Sequence, residues 1–529
     1  MLKRCIGAGV PMLLAVSAAW AVTVTINHAT EYQTIEGFGA HGSQNVWWSG
    51  GPFADASFVT TIVDDLGLTM SRNEFYPDFE PSNENGDANS LDFTKFNFSG
   101  EFVTKQKIWI DAMKAKAEQS GEPIRFIATY WSPPAWMKQN SSTVGGDPAT
   151  NVLRTGVENE LAEYGVATVR AYKERCNVDL YALSMQNESA FDEPYNSCVY
   201  TATRYRDVFK IFGARVKAAY PNVRLFGAED MLGRWTVSGA FPGAIMSDTT
   251  SRRLMDAIAV HGYSDGVNPT PGADAPQLWN RAYTNMRSTG KPLWMTETSG
   301  YSNDWSGARG TAEAIFEALK YGKVAAWVWW QLAGDHTAGE ILMPLGQRGK
   351  LFYAAKQYFR YIRPGAVMVD VNSDDTLVFT IGFNHKTNHT LTLVILNWAG
   401  STKDITLSGQ SLPSFTAYRT SSSDNCTNAG TVTTSASLPA NSITTLYGTN
   451  YNPPVAVAPR VAGMPGLVAG PARADVYALD GRAAGRAVAV RVDEQGRIAW
   501  DARQTGLARG SYLVTAGGSV ARTAVVDSR

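Results

Sequence analysis

Two segments of the chain end an apolar run on a glutamate: Ala182-Leu183-Ser184-Met185-Gln186-Asn187-Glu188 and Pro292-Leu293-Trp294-Met295-Thr296-Glu297. Short apolar runs bounded by polar residues read as strands enclosed on both faces. In a closed parallel barrel, the C-terminal ends of such strands carry the chemistry. Two carboxyl groups meeting there could cut a glycosidic bond, one protonating the leaving oxygen and the other attacking, or activating water at, the anomeric carbon. Asn187 is placed to hydrogen-bond a sugar 2-hydroxyl as charge develops in the transition state. Other acids share the strand-end position, since Glu74 follows Arg72 and Asn73, and Glu229-Asp230 ends a further run. Arg72 reads as a cation that holds a neighbouring carboxylate ionised. Glu229 reads as a subsite contact or as a partner of the groups that touch substrate.

The elements that must position these residues alternate between strand and helix. Strands are expected at Leu68–Asn73, Ile124–Thr129, Ala182–Glu188, Val223–Ala228, Ala257–His261, Pro292–Glu297 and Val324–Trp330, with another entering through Gln33–Ala40. Helical patterns separate them, the last at Tyr353–Tyr361, giving eight strand-helix units, the number that closes a parallel barrel. A doubly wound open sheet would place a glycine-rich phosphate loop after an early strand, and none is present. Beyond Pro364 the runs 376–380, 391–396, 415–418 and 442–446 follow one another as strands with no helical pattern between them. They predict an antiparallel β-sandwich that the strands before Gly37 would complete. The fold class is therefore α/β, a (β/α)8 TIM barrel with an attached side β-sandwich and a small C-terminal all-β module. The expected boundaries are a signal peptide at 1–21, N-terminal strands of the side domain at 22–36, the barrel at 37–362, the sandwich at 363–450, an Ala/Pro/Val/Gly-rich linker at 451–471, and the C-terminal module at 472–529.

Composition narrows the function. A formal net charge of −1 provides no field for capturing nucleic acid or an anionic membrane. The 15 Trp and 22 Tyr residues suit flat sugar rings without requiring them. Lys3-Arg4, the apolar run Cys5–Ala19 and the small-residue site Ala19-Trp20-Ala21 have the form of an export leader. That predicts a secreted or cell-surface protein with no membrane span, and a monomer. Without Cys5, three cysteines remain, Cys176, Cys198 and Cys426. Cys176 and Cys198 flank the Glu188 strand and are expected near opposite ends of the barrel, so that a bridge between them would need the loop to fold back. No His/Cys spacing indicates a metal site, and the chemistry needs no cofactor.

Several motifs, in order along Gln33 to Tyr447, resemble glycoside hydrolase family 30. They are Trp131-Ser132-Pro133-Pro134-Ala135-Trp136-Met137-Lys138, Ser184-Met185-Gln186-Asn187-Glu188, Trp294-Met295-Thr296-Glu297, Ala326-Trp327-Val328-Trp329-Trp330, Tyr361-Ile362-Arg363-Pro364-Gly365 and Leu438–Leu446. The nearest likeness is to the bacterial endo-xylanase branch that includes glucuronoxylanases. The resemblance implies hydrolysis with retention, Glu188 as general acid/base and Glu297 as nucleophile. It implies Trp131 as the aromatic beside the cleaved sugar, with His261 and Tyr263 hydrogen-bonding the nucleophile or the sugar. Trp329 and Trp330 alternate along one strand, so one is expected to stack on substrate while the other packs outward. Where glucuronoxylanases carry arginine and tyrosine to grip a glucuronate, this chain reads Gln331-Leu332-Ala333-Gly334-Asp335-His336, with no cation for a carboxylate.

The implied activity is a secreted retaining endo-glycosidase acting on plant cell-wall polysaccharide, an endo-β-1,4-xylanase not strictly dependent on glucuronate side groups. Its alternatives are an endo-β-1,6-glucanase or galactanase, an exo-acting β-glycosidase of the same family, and a non-catalytic polysaccharide-binding protein. Asp480-Gly481-Arg482 and Leu507–Tyr512 resemble the C-terminal β-modules that exported bacterial enzymes use for sorting or surface attachment. A carbohydrate-binding module is the rival reading, for which a lone Trp500 is a poor platform.

Overall fold

The computed structural model describes residues 21–42, 50–122, 124–235, 241–263, 267 and 272–453, together with strands between 470 and 526. The expected signal peptide, apart from Ala21, and most of the expected linker lie outside the described residues. The chain divides into two units, Met1–Asn452 and Pro453–Arg529.

In the first unit, β1 (Val22–Thr34) precedes eight parallel strands that close on themselves: β2 (Gly37–His41), β3 (Met70–Glu74), β4 (Arg125–Thr129), β5 (Ala182–Ser184), β6 (Arg224–Met231), β7 (Ala257–Gly262), β8 (Leu293–Thr298) and β9 (Val324–Trp329). Closure is made by β2 against β9, with Phe38 beside Trp327. Both faces are enclosed. Met70, Ile127, Phe226, Ala257, Ala259, Trp294 and Val328 fill the inside, where small alanines make room for Trp294 and Phe226. Crowding at the β2–β3 pair is what requires Gly39, since a Cβ there would lie 1.9 Å from the Met70 carbonyl oxygen. At the opposite end from the strand tips, Glu36 pairs with Arg224 and accepts from the Tyr181 hydroxyl and the Trp294 indole. Among the described residues no helix is long and apolar enough to cross a membrane.

A short parallel pair, β10 (Ala333–Gly334) and β11 (Met343–Pro344), follows the last barrel strand. Next come β12 (Val367–Ser373), β13 (Val378–His385), β14 (Thr390–Asn397), β15 (Lys403–Ser408), β16 (Phe415–Thr420), β17 (Thr427–Val432), β18 (Ser435–Leu438) and β19 (Ser442–Gly448). With β1 they form a nine-stranded sheet in the order β17-β16-β19-β14-β13-β12-β1-β15-β18. The expectation that the strands before Gly37 complete this region holds: β1 pairs with β12 antiparallel. It also pairs with β15 in parallel, so the sheet is not purely antiparallel as expected. The hydrophobic pattern shows why the sheet has two covered faces. β14 is buried at all eight positions. Leu391, Leu393 and Ile395 pack into the sheet's own core, while Val394 and Leu396 join the core around the barrel. A strand enclosed on both sides reads as a continuous apolar run rather than an alternating one.

The second unit contains β20 (Gly470–Ala478), β21 (Ala483–Val492), β22 (Ile498–Ala499), β23 (Gly510–Ala516) and β24 (Ser519–Val526), ordered β22-β21-β20-β23-β24 and antiparallel throughout. Asp480-Gly481-Arg482 and Trp500 fall outside the described residues.

Because Leu396 joins the sheet to the barrel from a fully enclosed position, Leu396→Ala is expected to lower the unfolding free energy by about 2–5 kcal/mol. Denaturant titration of the purified variant measures this, and a change under 1 kcal/mol would contradict the packing.

Candidate active site

The groups that meet at the C-terminal end of the barrel come from strands β2, β3, β6, β7 and β8 and from the loops that leave β4, β5, β7 and β9. Arg72 lies in β3, between His41 of β2 and Ile127 of β4 in register. Its guanidinium is wholly buried and almost fully committed. It donates to Glu297 Oε2 at 2.7 Å, to Asn187 Oδ1 at 2.7 Å, and to Glu229 Oε1 at 2.9 Å from Nη2 and 3.2 Å from Nε. Its flat face lies 4.5 Å from the Trp131 ring centroid, an attraction that a planar cation makes without spending a donor.

Backbone irregularities aim the carboxylates. In β8 the register against β7 slips so that His261 faces Glu297 with Thr296 left over. In β6 it slips between Ala228 and Asp230, leaving Glu229 as the extra residue, with φ of 52°. An extra residue on a strand redirects its neighbours' side chains, here into the mouth of the barrel. Glu188 does not sit at the tip of its strand as expected. β5 ends at Ser184, and Glu188 follows on a turn with φ of 38°. Two backbone bonds hold that turn against the end of β4, Tyr130 N–H to Ser184 O and Asn187 N–H to Tyr130 O, and the Gln186 amide donates to the Trp131 carbonyl. A non-glycine residue in the left-handed region costs energy that this scaffold holds in place.

Two buried carboxyl groups thus face each other. One oxygen of Glu188, one of Glu297 and a ring nitrogen of His261 all lie within 4.8 Å of one another. The two glutamates have different partners. Glu297 accepts from Arg72 and from the Tyr263 hydroxyl at 2.9 Å. Glu188 has His261 Nδ1 at 2.7 Å. Burial pushes the Glu188 carboxyl up, with His261 working against that and Glu193 adding to it. Burial also pushes Glu297 up, opposed by His261 and by the permanent charge of Arg72. Burial would lower His261, but Glu297, Glu188 and Glu229 together carry it up to about 10. Glu229, although buried, is held below the usual carboxylate range by Arg72 and then His261. The cluster therefore carries a proton on His261, beside Glu188, and keeps Glu229 ionised against Arg72. Glu188, His261 and Glu297 are of metal-ligand type, but a guanidinium 2.7 Å from Glu297 disfavours a cation among them.

Sequence reasoning gathered most of this site. Asn187 is buried, its oxygen taken by Arg72, which leaves its amide nitrogen as the donor. Trp131 and Trp330 line the cleft at 5.6 Å, with His41 at 5.4 Å from the first and 4.3 Å from the second. Trp329 is not part of it: its ring is fully buried against Tyr301 at 5.5 Å, and its indole donates to the Glu340 carbonyl. Alternation along β9 decides between the two, sending Trp329 away from the cleft. Cys176, Cys198 and Cys426 are buried free thiols. Glu74 is buried away from the pair, where it accepts from Asn196 at 2.9 Å and burial lifts it to about 7. His41, which lies against both Trp131 and Trp330, was missed.

A family model described as the glycosyl hydrolase family 30 TIM-barrel domain matches residues 73–343. The chain belongs to glycosyl hydrolase family 30. The segment matched contains Asn187, Glu188, Glu229, His261, Tyr263, Glu297 and Trp330, and begins one residue after Arg72. Glucuronoxylanase XynC of Bacillus subtilis (strain 168) is 24% identical over 460 residues, covering 84% of this chain and 95% of that protein. Among solved structures, the family 30 subfamily 8 xylanase Xyn30A of Clostridium acetobutylicum aligns with a TM-score of 0.63 and 23% identity, over 81% of this chain and 99% of that one. The endo-β1,6-glucanase BT3312 aligns with a TM-score of 0.62 and 20% identity, over 81% and 94%. At these identities the solved structures speak for a shared fold.

Removing the shared cation tests the electrostatic arrangement. Arg72→Met leaves Glu229 and Glu297 buried without their guanidinium, and is expected to cost roughly 3–5 kcal/mol of unfolding free energy at neutral pH. The protons those carboxylates then take up should recover part of the loss below about pH 5, so denaturant titrations at both pH values measure the effect. An unchanged midpoint at both would refute it.

Proposed function

We propose that this family 30 hydrolase is a retaining endo-β-1,4-xylanase that does not depend on a glucuronate side group. The observation that carries the mechanism is the Glu188–Glu297 pair, with oxygens within 4.8 Å of each other and unequal partners. That spacing suits a carboxylate that attacks the anomeric carbon directly, because an inverting pair stands about 6.5–9.5 Å apart to admit a water. Glu297, oriented by Arg72 and Tyr263, is the nucleophile. Glu188, on the proton-bearing side, protonates the leaving oxygen, then removes a proton from the water that hydrolyses the glycosyl-enzyme. Asn187 donates from its amide toward the sugar, and Trp131 with Trp330 supplies aromatic surface beside the cleaved residue.

The substrate reading is supported by the near full-length likeness to the glucuronoxylanase and by charge. In place of a carboxylate-gripping arginine the segment after β9 has a buried Gln331, and His336 bracketed by Asp335 and Glu340 at 2.9 Å each. One imidazolium between two carboxylates leaves that corner net negative, which favours an uncharged backbone over a glucuronate-bearing one. The same feature is compatible with a β-1,6-glucan, the second reading.

Two expected outcomes test the proposal. Glu297→Gln should lower kcat by roughly four orders of magnitude or more, whereas Glu188→Ala should retain turnover of an aryl glycoside and be accelerated by azide, releasing a β-glycosyl azide. An α-configured azide product would mean inversion and overturn the assignment. On a panel of linear xylan, glucuronoxylan and β-1,6-glucan, linear xylan should yield mixed oligosaccharides at a rate within about three-fold of glucuronoxylan. Cleavage confined to β-1,6-glucan would replace the substrate, and release of a single short product would replace the endo mode.

A further inference from the structure

Trp330 has few means of holding its own orientation. It stands one residue past β9, its ring is partly exposed, and among the described residues its indole N–H makes no hydrogen bond. The rings that meet it are those of Trp131, at 5.6 Å between centroids with 32° between planes, and His41, at 4.3 Å and 40°. Trp131 is better secured. The Arg72 guanidinium lies over its ring at 4.5 Å, and His41 meets it edge-on at 5.4 Å.

The two tryptophans stand too close to clamp a sugar between them. A pyranose in van der Waals contact with aromatic carbon on both faces needs about 7–8 Å between the rings, and these centroids are 5.6 Å apart. A sugar therefore lies across the pair as across one surface, whose shape is set by the tilt of one ring against the other. The side chain that touches both rings is His41.

His41 belongs to the barrel wall. It is the last residue of β2, in register with Arg72 of β3, and is wholly buried. Its carbonyl accepts from Leu332 N–H at 3.2 Å, which ties it to the segment that carries Trp330, and Gly42 N–H donates to the Arg72 carbonyl at 2.9 Å. At Gly42 a Cβ would overlap the Trp109 indole, so the backbone bearing the imidazole is pressed onto its neighbours. Burial and the charge of Arg72 hold the ring well below the ordinary histidine range. A neutral ring fills this place without competing with Arg72 for Glu229 and Glu297.

We propose that His41 is a positioning residue, a rigid wedge that sets the angle between Trp131 and Trp330 and thereby the surface on which the sugar lies. The inference rests on the role proposed above for the two tryptophans. Because His41 acts through Trp330, removing it should cost little more once Trp330 is gone.

The test is a double-mutant cycle on kcat/KM, using the polysaccharide selected by the substrate panel. His41→Leu keeps an apolar side chain of similar size but loses the flat face, and should lower kcat/KM by roughly three- to ten-fold, the worth of one aromatic pair. His41→Phe restores a ring and should lose no more than about two-fold. Trp330→Ala should lose at least about ten-fold, and the double variant His41→Leu/Trp330→Ala no more than about two-fold beyond that. Near-UV circular dichroism reports folding, and His41→Met replaces His41→Leu in the cycle if the latter does not fold. Losses that multiply in the double variant, equal losses in His41→Leu and His41→Phe, or an unchanged His41→Leu enzyme each overturn the wedge while leaving the aromatic surface in place. An undiminished kcat/KM in Trp330→Ala rejects the aromatic surface itself, and the wedge with it.

Discussion

The buried guanidinium of Arg72 is the constraint from which the site follows. A cation with no exposed surface survives only where anions and acceptors surround it, and here Glu229, Glu297, Asn187 and the face of Trp131 do so. The same interactions orient the machinery. Glu297 is drawn to one side, the oxygen of the Asn187 amide is turned toward the cation, and the Trp131 ring is held against the guanidinium face. An ion cluster this deep contributes little net stability over an apolar core of the same shape. Its value lies in pre-organisation, because the groups stand in place before substrate arrives.

Around that cation the charges are ordered rather than merely crowded. Three glutamates converge on one arginine and one histidine, and they cannot all be ionised without cost. The permanent charge bears on that: Glu229 and Glu297 lie against the guanidinium, while Glu188 shares a hydrogen bond with His261. Two chemically identical side chains are thereby given different surroundings by their neighbours.

The sheet that carries β1 serves the site from a distance. Because β1 enters the sheet before the chain forms its first barrel strand, both ends of the catalytic unit are tied to one layer. The enclosed strand β14 shows how firmly that layer is joined, contributing side chains to two cores at once. A barrel whose helices are backed in this way can keep strained residues such as Glu188 and Glu229 at its mouth.

The sequence by itself determined the strand-helix alternation, the number of barrel units, the later run of strands and the two glutamates, because each is written in local periodicity or in a contiguous motif. Only the tertiary structure decided the rest. That Glu188 stands four residues past its strand, and that Glu229 is the extra residue of a bulge, depends on how neighbouring strands register, which no single segment encodes. Alternation announced that Trp329 and Trp330 must part, but which of them faces the cleft waited on the pairing of β9 with β2 and β8. Arg72 could be recognised as a cation beside a carboxylate. That it binds two glutamates and an asparagine follows from three-dimensional closure of the barrel, which brings together residues separated by 115 to 225 positions along the chain.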